Sequence, residues 1–142
     1  MIGGQVIDIA NETRTDVDQN NLVNMYAHKT GALIRVACTM GCMVAGANDK
    51  MLTAATEYAQ RLGLAFQIVD DILDVTGTPE LLGKPIGSDA AHHKTTFVTL
   101  LGLEGAKAEA SRLTEEALRL LEDIPEHQFL TDLTEALLNR NY

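Results

Sequence analysis

Apolar residues recur along this chain at intervals of three and four, which is the spacing of one face of an α-helix. No stretch alternates strictly between apolar and polar residues as a half-buried strand does, and no internal repeat is present. The pattern therefore predicts an all-α fold. The predicted helices cover about 18–28, 32–45, 50–75, 95–101, 105–124 and the residues from Pro125 onward, with Asp18 as the first N-cap.

Two interruptions of the pattern carry candidate chemistry. Lys29-Thr30-Gly31 divides what would otherwise be one helix. A glycine inside a helix costs about 1 kcal/mol relative to alanine, so the break favours a kink with freed backbone carbonyls. Residues 76–94 contain three glycines, two prolines and the lysines Lys84 and Lys94. Long irregular segments in compact domains are usually functional or disordered, and we interpret this one as a lid or phosphate clamp.

The long predicted helix ends in an acidic segment, Phe66-Gln67-Ile68-Val69-Asp70-Asp71-Ile72-Leu73-Asp74. Asp70 and Asp74 lie one above the other on a helix, and Asp71 precedes Asp74 by three residues. Apolar residues flank both sides of this stripe, so we expect an interior helix whose aspartates face a wet central cavity.

The energetic cost of this segment argues for a role. Each Asp costs about 0.5–0.7 kcal/mol of helix propensity relative to Ala, and like-charge neighbours add about 0.2–0.5 kcal/mol per pair. Three carboxylates that converge on one point suit Mg²⁺, which takes oxygen ligands and completes its octahedron with water and substrate phosphate. The alternative is a solvated acidic turn near the end of a helix.

Composition limits the classes of partner. The 142 residues are 46% hydrophobic with only three prolines, which is enough for one packed domain. The net charge of −9 disfavours nucleic acid or an anionic membrane as partner. We expect no membrane span, since no charge-free apolar run approaches about 18 residues, and we identify no signal peptide. Cys38 and Cys42 are interpreted as buried thiols, and a cytoplasmic location is the default expectation.

Taken together, these segments resemble the C-terminal half of the short-chain trans-isoprenyl diphosphate synthases, most of all the bacterial farnesyl diphosphate synthases (geranyltranstransferases). The resemblance rests on motifs in the family's order and at its spacing. They are Gly3-Gly4-Gln5 with Asp8, His28-Lys29-Thr30-Gly31-Ala32-Leu33, the acidic segment 66–74, Gly83-Lys84 with Gly87-Ser88-Asp89, Lys94-Thr95-Thr96 and Leu101-Gly102-Leu103-Glu104-Gly105-Ala106.

The resemblance implies a helical bundle with a central cavity, usually a homodimer. It also implies an enzyme that uses Mg²⁺ to ionise an allylic diphosphate and joins the cation to isopentenyl diphosphate. Asp70 would serve a Mg²⁺ ion, together with Asp74 through water, and Asp71 would support that site. Thr30 and Gln67 would stabilise the cation. Three lysines would bind diphosphate, namely Lys29, Lys84 and Lys94.

The family's first aspartate-rich motif and its isopentenyl diphosphate site lie in an N-terminal half that residues 1–142 do not contain. We therefore expect the chain to be the C-terminal portion of one polyprenyl synthetase domain, inactive alone. We also expect it to associate through apolar faces, because the acidic helix loses cover on one of its two sides. The open alternatives are a longer-chain synthase (geranylgeranyl or polyprenyl) and a non-catalytic subunit of the same fold.

Overall fold

The computed structural model describes residues 1–77, 94–122 and 124–138. Within these ranges the chain is helical and contains no strand, which confirms the predicted all-α class. The helices are α1 (Ile2–Asn11), α2 (Gln19–Tyr26), a π-helical segment (Ala27–Gly31), α3 (Ala32–Val44), α4 (Asp49–Thr76), α5 (Phe97–Leu121) and α6 (Gln128–Leu138).

Side-chain caps fix three of the helix starts. Asp18 accepts a hydrogen bond from the backbone N–H of Asn21 at 2.8 Å, as predicted, and Asn48 caps α4 through Met51 N–H at 3.0 Å. Thr96 and Thr99 form a reciprocal capping box at the start of α5.

Three helix boundaries can be compared with those predicted from the sequence. The hydrophobic pattern gave no helix before residue 18, so α1 followed only from the family resemblance. The break at Gly102 is confirmed as a kink inside α5, where this glycine has φ 71°. The last helix begins at Gln128 and not at Pro125.

The centre of the molecule is α4, which packs along α5 and against α3 and the π-helical segment. Its apolar side chains fill two core clusters, one around Ile68 and Phe97 and the other around Tyr58 and Leu62. The prediction of an interior helix is therefore confirmed.

The expected loss of cover on one side of α4 is wrong for the segment 62–73. Its apolar residues are buried or half-buried on both sides of the helix, because α2, α3 and α5 cover them. The exposed large apolar side chains lie mainly on α1 and α3 instead.

The π-helical segment is held between α1 and α4 at two glycines. A Cβ on Gly4 would lie 2.2 Å from the backbone nitrogen of Lys29, and one on Gly63 would lie 2.9 Å from the Cα of Gly31. Only glycine permits such approaches. The interruption of the α-helix predicted at Lys29-Thr30-Gly31 is thus present as a π-helix, a form that is frequent at functional sites.

In the part of the chain that the structure describes, no helix combines the length and apolar character that crossing a bilayer requires.

Candidate active site

A polar cleft of about 150 Å³ opens where α1, the π-helical segment and α4 meet the residues that precede α5. Six of its polar lining residues matter for its chemistry: Asp8, Lys29, Gln67, Asp70, Asp71 and Lys94. Five of these six had been named as site residues from the sequence. The structure brings all six residues together from four separate segments of the chain.

Two lysines converge on one buried carboxylate in this cleft. Lys29 Nζ lies 2.6 Å from Asp8 Oδ2, and Lys94 Nζ lies 3.3 Å from both carboxylate oxygens of Asp8. Lys94 also lies 3.6 Å from Glu12 Oε1. Burial raises the pKa of the Asp8 carboxyl. The hydrogen bonds and positive charges of Lys29 and Lys94 lower it by a larger amount, so the pKa stands below its ordinary value. Asp8 therefore fixes two ammonium groups at the cleft.

The kink and the acidic segment are joined by a short chain of hydrogen bonds. Thr30 Oγ1 donates to Gln67 Oε1 at 2.9 Å, and Gln67 Nε2 donates to Asp70 Oδ2 at 3.1 Å. These bonds fix the orientation of the Gln67 amide and hold one oxygen of Asp70. The two residues expected to face a cation, Thr30 and Gln67, are thus in direct contact.

Asp71 plays a different part from its neighbour Asp70. It is buried, and it accepts hydrogen bonds from the Tyr26 hydroxyl at 2.8 and 2.9 Å and from the backbone N–H of Phe97 at 2.9 Å. The ring of Tyr26 stacks on that of Phe97 with centroids 5.9 Å apart. Because Phe97 is the first residue of α5, the Asp71 carboxylate also meets the positive end of that helix. Asp71 therefore ties α2, α4 and α5 together.

The expected convergence of three carboxylates is not found among the described residues, which include all three aspartates. Asp70 and Asp71 line the cleft, but Asp71 is directed to Tyr26 and Phe97, and Asp74 is 98% buried away from it. In the described ranges no group of three His, Cys, Asp or Glu residues is placed to hold a metal ion. The helical rotation of about 100° per residue turns Asp71 away from Asp70 and towards α5. Asp74 lies one turn beyond Asp70, where it is buried and does not line the cleft.

A magnesium site of another composition fits the residues present. Mg²⁺ in proteins is commonly held by one or two carboxylates, with its remaining oxygens from substrate phosphates and water. Asp70, half-buried on the wall of the cleft, is an oxygen donor of the right kind. The metal roles of Asp70, Asp71 and Asp74 stay predictions, and Lys84 lies outside the described residues.

The sequence model of one family, Polyprenyl synthetase, matches residues 1–133. The chain belongs to the polyprenyl synthetase family. This agrees with the resemblance found in the sequence motifs.

Its relatives in this family make products of different lengths, to judge from their names. The chain is 41% identical to farnesyl diphosphate synthase of Escherichia coli (strain K12), over 96% of this chain and 46% of that protein. It is 43% identical to geranylgeranyl diphosphate synthase of Cyanophora paradoxa, over 82% of this chain and 39% of that protein. The chain thus spans less than half the length of these curated relatives.

A solved structure shows the same architecture. The geranyltransferase of Helicobacter pylori, complexed with magnesium and isoprenyl diphosphate, superposes with a TM-score of 0.80 at 36% identity, covering 98% of this chain and 46% of that one. The bundle of this polyprenyl synthetase chain is therefore the isoprenoid-synthase fold.

Sequence reasoning gave no role to two residues of the site, Asp8 and Tyr26. A signal for Asp8 was available, because Gly4, Asp8 and Asn11 follow helical spacing and are the buried residues of α1. No comparable signal marked Tyr26. Its partner Asp71 is 45 residues away, and only the packing of α2 against α4 brings the two together.

Proposed function

We propose that the full-length protein, meaning the gene product that contains this chain, is a Mg²⁺-dependent prenyltransferase. It would condense isopentenyl diphosphate with an allylic diphosphate, dimethylallyl or geranyl, to give farnesyl diphosphate. The observation that carries this proposal is the cleft itself. In a polyprenyl synthetase chain, two lysines and Asp70 line one polar cleft beside a π-helical kink.

The charges of the cleft support a requirement for metal. Among its described lining residues, three aspartates stand against two lysines, so the cleft alone has an excess of one negative charge. A diphosphate is a polyanion and would be repelled unless a cation accompanied it. Mg²⁺ held by Asp70 would neutralise the charge that develops on the departing diphosphate.

The chain's own residues have distinct tasks in this proposal. Lys29 and Lys94 exchange part of their contact with Asp8 for phosphate oxygens, and Asp8 keeps both ammonium groups in place. The bond between the allylic carbon and the diphosphate oxygen breaks, with the electron pair leaving on the oxygen. The double bond of isopentenyl diphosphate then attacks the cation, and a proton is lost to complete the product.

Thr30 and Gln67 stand beside the proposed cation. Thr30 donates its hydroxyl proton to Gln67 Oε1 at 2.9 Å, so the lone pairs of the Thr30 oxygen are left to face the cation. The π-helical segment adds carbonyl dipoles whose intrahelical bonds are displaced. Such dipoles stabilise a cation without offering a strong nucleophile that would trap it.

The product length and the assembly belong to the same proposal. We infer a homodimer in the cytoplasm, and the exposed apolar residues of α1 and α3 are the surfaces that support association. A longer product is the second candidate, because the relatives include geranylgeranyl diphosphate synthases. A non-catalytic subunit is the alternative outside the enzyme class.

The proposal is tested by incubating purified full-length protein with isopentenyl diphosphate and each allylic diphosphate in turn, with Mg²⁺ or with EDTA. We expect a prenyl diphosphate product that forms only with the metal, and chromatography of the dephosphorylated alcohol gives its length. The control is Lys29→Ala, which should lose most of the activity. A folded protein that yields no product with any allylic substrate would support the non-catalytic alternative and overturn the proposal.

A further inference from the structure

A second and larger cavity, of about 430 Å³, lies between α2, α3, α4 and α5. It shares no lining residue with the candidate active site. Its volume falls in the range of about 300–1,000 Å³ that is typical of small-molecule sites. Neither the sequence motifs nor the proposed reaction gives it a function.

Arginines are concentrated at this cavity, and two of them keep unused hydrogen-bond donors. Arg35, Arg61 and Arg112 line it. Arg35 has no hydrogen bond or ion pair to any residue in the described ranges. Arg61 lies 3.6 Å from Glu116 and 3.8 Å from Glu57, distances beyond a hydrogen bond.

The third arginine is already satisfied. Arg112 donates two hydrogen bonds to Glu109, at 2.7 and 2.9 Å, and contacts Glu116 as well. Arg112 is matched by Glu109, and Arg61 lies near Glu116 and Glu57, so Arg35 is the guanidinium of the wall without a carboxylate partner in the described ranges. The wall therefore keeps one unmatched positive charge in a chain whose net charge is −9.

Apart from Gln60, the rest of the cavity lining is apolar. Val23 of α2, Leu64 of α4 and the buried Leu113 of α5 contribute aliphatic side chains, and Ala27 and Gly31 of the π-helical segment leave room between them. An occupant would thus meet both aliphatic side chains and planar cationic donors. This is the combination that fixes the orientation of a ligand with one polar end.

We propose that this cavity binds an amphipathic monoanion, a carboxylate with a short aliphatic chain. The carboxylate pairs with the open guanidinium donors of Arg35 and Arg61, which match its planar geometry. The chain lies on the surface formed by Val23, Leu64 and Leu113. A single negative charge suits the one guanidinium without a carboxylate partner, that of Arg35, whereas Glu116 disfavours a polyanion.

The test is titration calorimetry of the full-length protein with sodium octanoate, and with sodium acetate as the anion that lacks the aliphatic chain. We expect saturable binding of octanoate at one site and no measurable binding of acetate. Arg35→Gln and Arg61→Gln should each weaken octanoate binding about tenfold, because each removes charge-assisted hydrogen bonds. Arg119→Gln is the matched control, since Arg119 lies on α5, does not line the cavity and pairs with Glu115.

A second variant tests the cavity even if the arginine variants misfold. Gln60 is exposed and lines the cavity from α4, so Gln60→Trp should fill the space and abolish octanoate binding without loss of thermal stability. The proposal is overturned if octanoate fails to bind, if acetate binds as well as octanoate, or if the folded Gln60→Trp protein binds octanoate unchanged. Prenyl transfer is measured separately, so failure of this site leaves the proposed reaction untouched.

Discussion

At the scale of single residues, the neighbouring aspartates Asp70 and Asp71 differ sharply in environment. Asp70 lies at the cleft and accepts a hydrogen bond from Gln67, whereas Asp71 is buried and accepts bonds from Tyr26 and Phe97. Substitutions at the two positions should therefore separate function from stability.

Asp70→Ala should reduce turnover of the full-length protein far more than it reduces stability. It removes the proposed metal ligand and also a charge that disfavours the helix, so the free energy of unfolding should stay unchanged or rise by a few tenths of a kcal/mol. Steady-state kinetics and melting in metal-free buffer check this. A melting temperature lowered by several degrees with activity retained would show that Asp70 is structural.

Asp71→Ala should destabilise the protein by about 2–3 kcal/mol, because it leaves the Tyr26 hydroxyl and the Phe97 N–H buried without their acceptor. Urea unfolding measures this loss. Asp71→Asn is the control, since its amide oxygen still accepts one bond and should recover part of the stability. An Asp71→Ala protein as stable as the natural one would contradict the bracing role.

Asp8 gives stability a defined dependence on pH. Its pKa is lower in the folded protein than the value of about 3.9 expected when unfolded, so its contribution is complete above that value and is lost as pH falls through the folded pKa. In unfolding experiments, Asp8→Asn should be less stable than the natural protein at pH 7. The difference should shrink as the pH falls below about 4, and a difference independent of pH would contradict this account.

Sequence alone identified residues of the site but not how they are connected. Local helical spacing selected Asp70, and the break at Lys29-Thr30-Gly31 marked the second segment, whereas the roles of Lys29 and Gln67 followed from the family resemblance. The ion pairs of Asp8 with Lys29 and Lys94 join residues 21 and 86 positions apart, and no periodicity encodes such separations. Asp70 and Asp71 both line the cleft, but the hydrogen bonds of Asp71 to Tyr26 and Phe97 depend on packing against α2 and α5, which helical spacing does not encode.

At the scale of secondary structure elements, the packing of α1 on the π-helical segment depends on one glycine. Gly4→Ala would place a Cβ 2.2 Å from the backbone nitrogen of Lys29, so the backbone must move. We expect a loss of about 1–3 kcal/mol of stability and weaker activity, since Lys29 moves with its backbone.

The neighbouring glycine is a matched control for this prediction. A Cβ on Gly3 meets nothing within 4 Å, so Gly3→Ala should raise stability by up to about 1 kcal/mol through helix propensity. Thermal melting of the two variants side by side measures the difference. Equal effects of Gly3→Ala and Gly4→Ala would mean that the close approach is not important.

Helical spacing of apolar residues predicted most of the helices. It identified α4 and α5, whose buried residues recur at that spacing, and α3, whose apolar stripe is exposed. It fails for α1, whose apolar residues Ile2, Val6 and Ile9 are exposed while Gly4 and Asp8 are buried. Its inner face is small and polar because it contacts the π-helical backbone and two lysines.

At the scale of the whole molecule, most of the exposed large apolar residues form two stripes with helical spacing. Ile2, Val6 and Ile9 lie on α1, and the second stripe is on α3, comprising Leu33, Val36, Met40, Met43 and Val44. Ile2 is 85% exposed and Val44 88%. Burial of one such side chain contributes about 1.5–3 kcal/mol, so both stripes favour association.

We expect residues 1–142 expressed alone to associate at micromolar concentration. Sedimentation velocity of this chain and of a Val6→Ser, Ile9→Ser variant checks this, and the variant should sediment more slowly. Val75→Ser is the control, because Val75 is exposed at the end of α4, outside both stripes. A monomer that melts sharply and cooperatively would contradict the expectation.

The same chain should show no measurable prenyl transfer. It covers less than half the length of its relatives, and the first aspartate-rich motif and isopentenyl diphosphate site that the family resemblance implies are not among residues 1–142. The assay used for the full-length protein measures this directly. Turnover comparable with that of the full-length protein would show that residues 1–142 suffice.

The π-helical segment also sets the phase between α2 and α3. A π-helical turn closes its hydrogen bond one residue later than an α-helical turn does, so α3 starts about 100° out of phase with a straight continuation of α2. Removing a single residue from Ala27–Gly31 would rotate every side chain of α3 around its axis. Arg35 would leave its cavity and the apolar stripe would turn with it, so the length of this short segment is as constrained as any side chain in it.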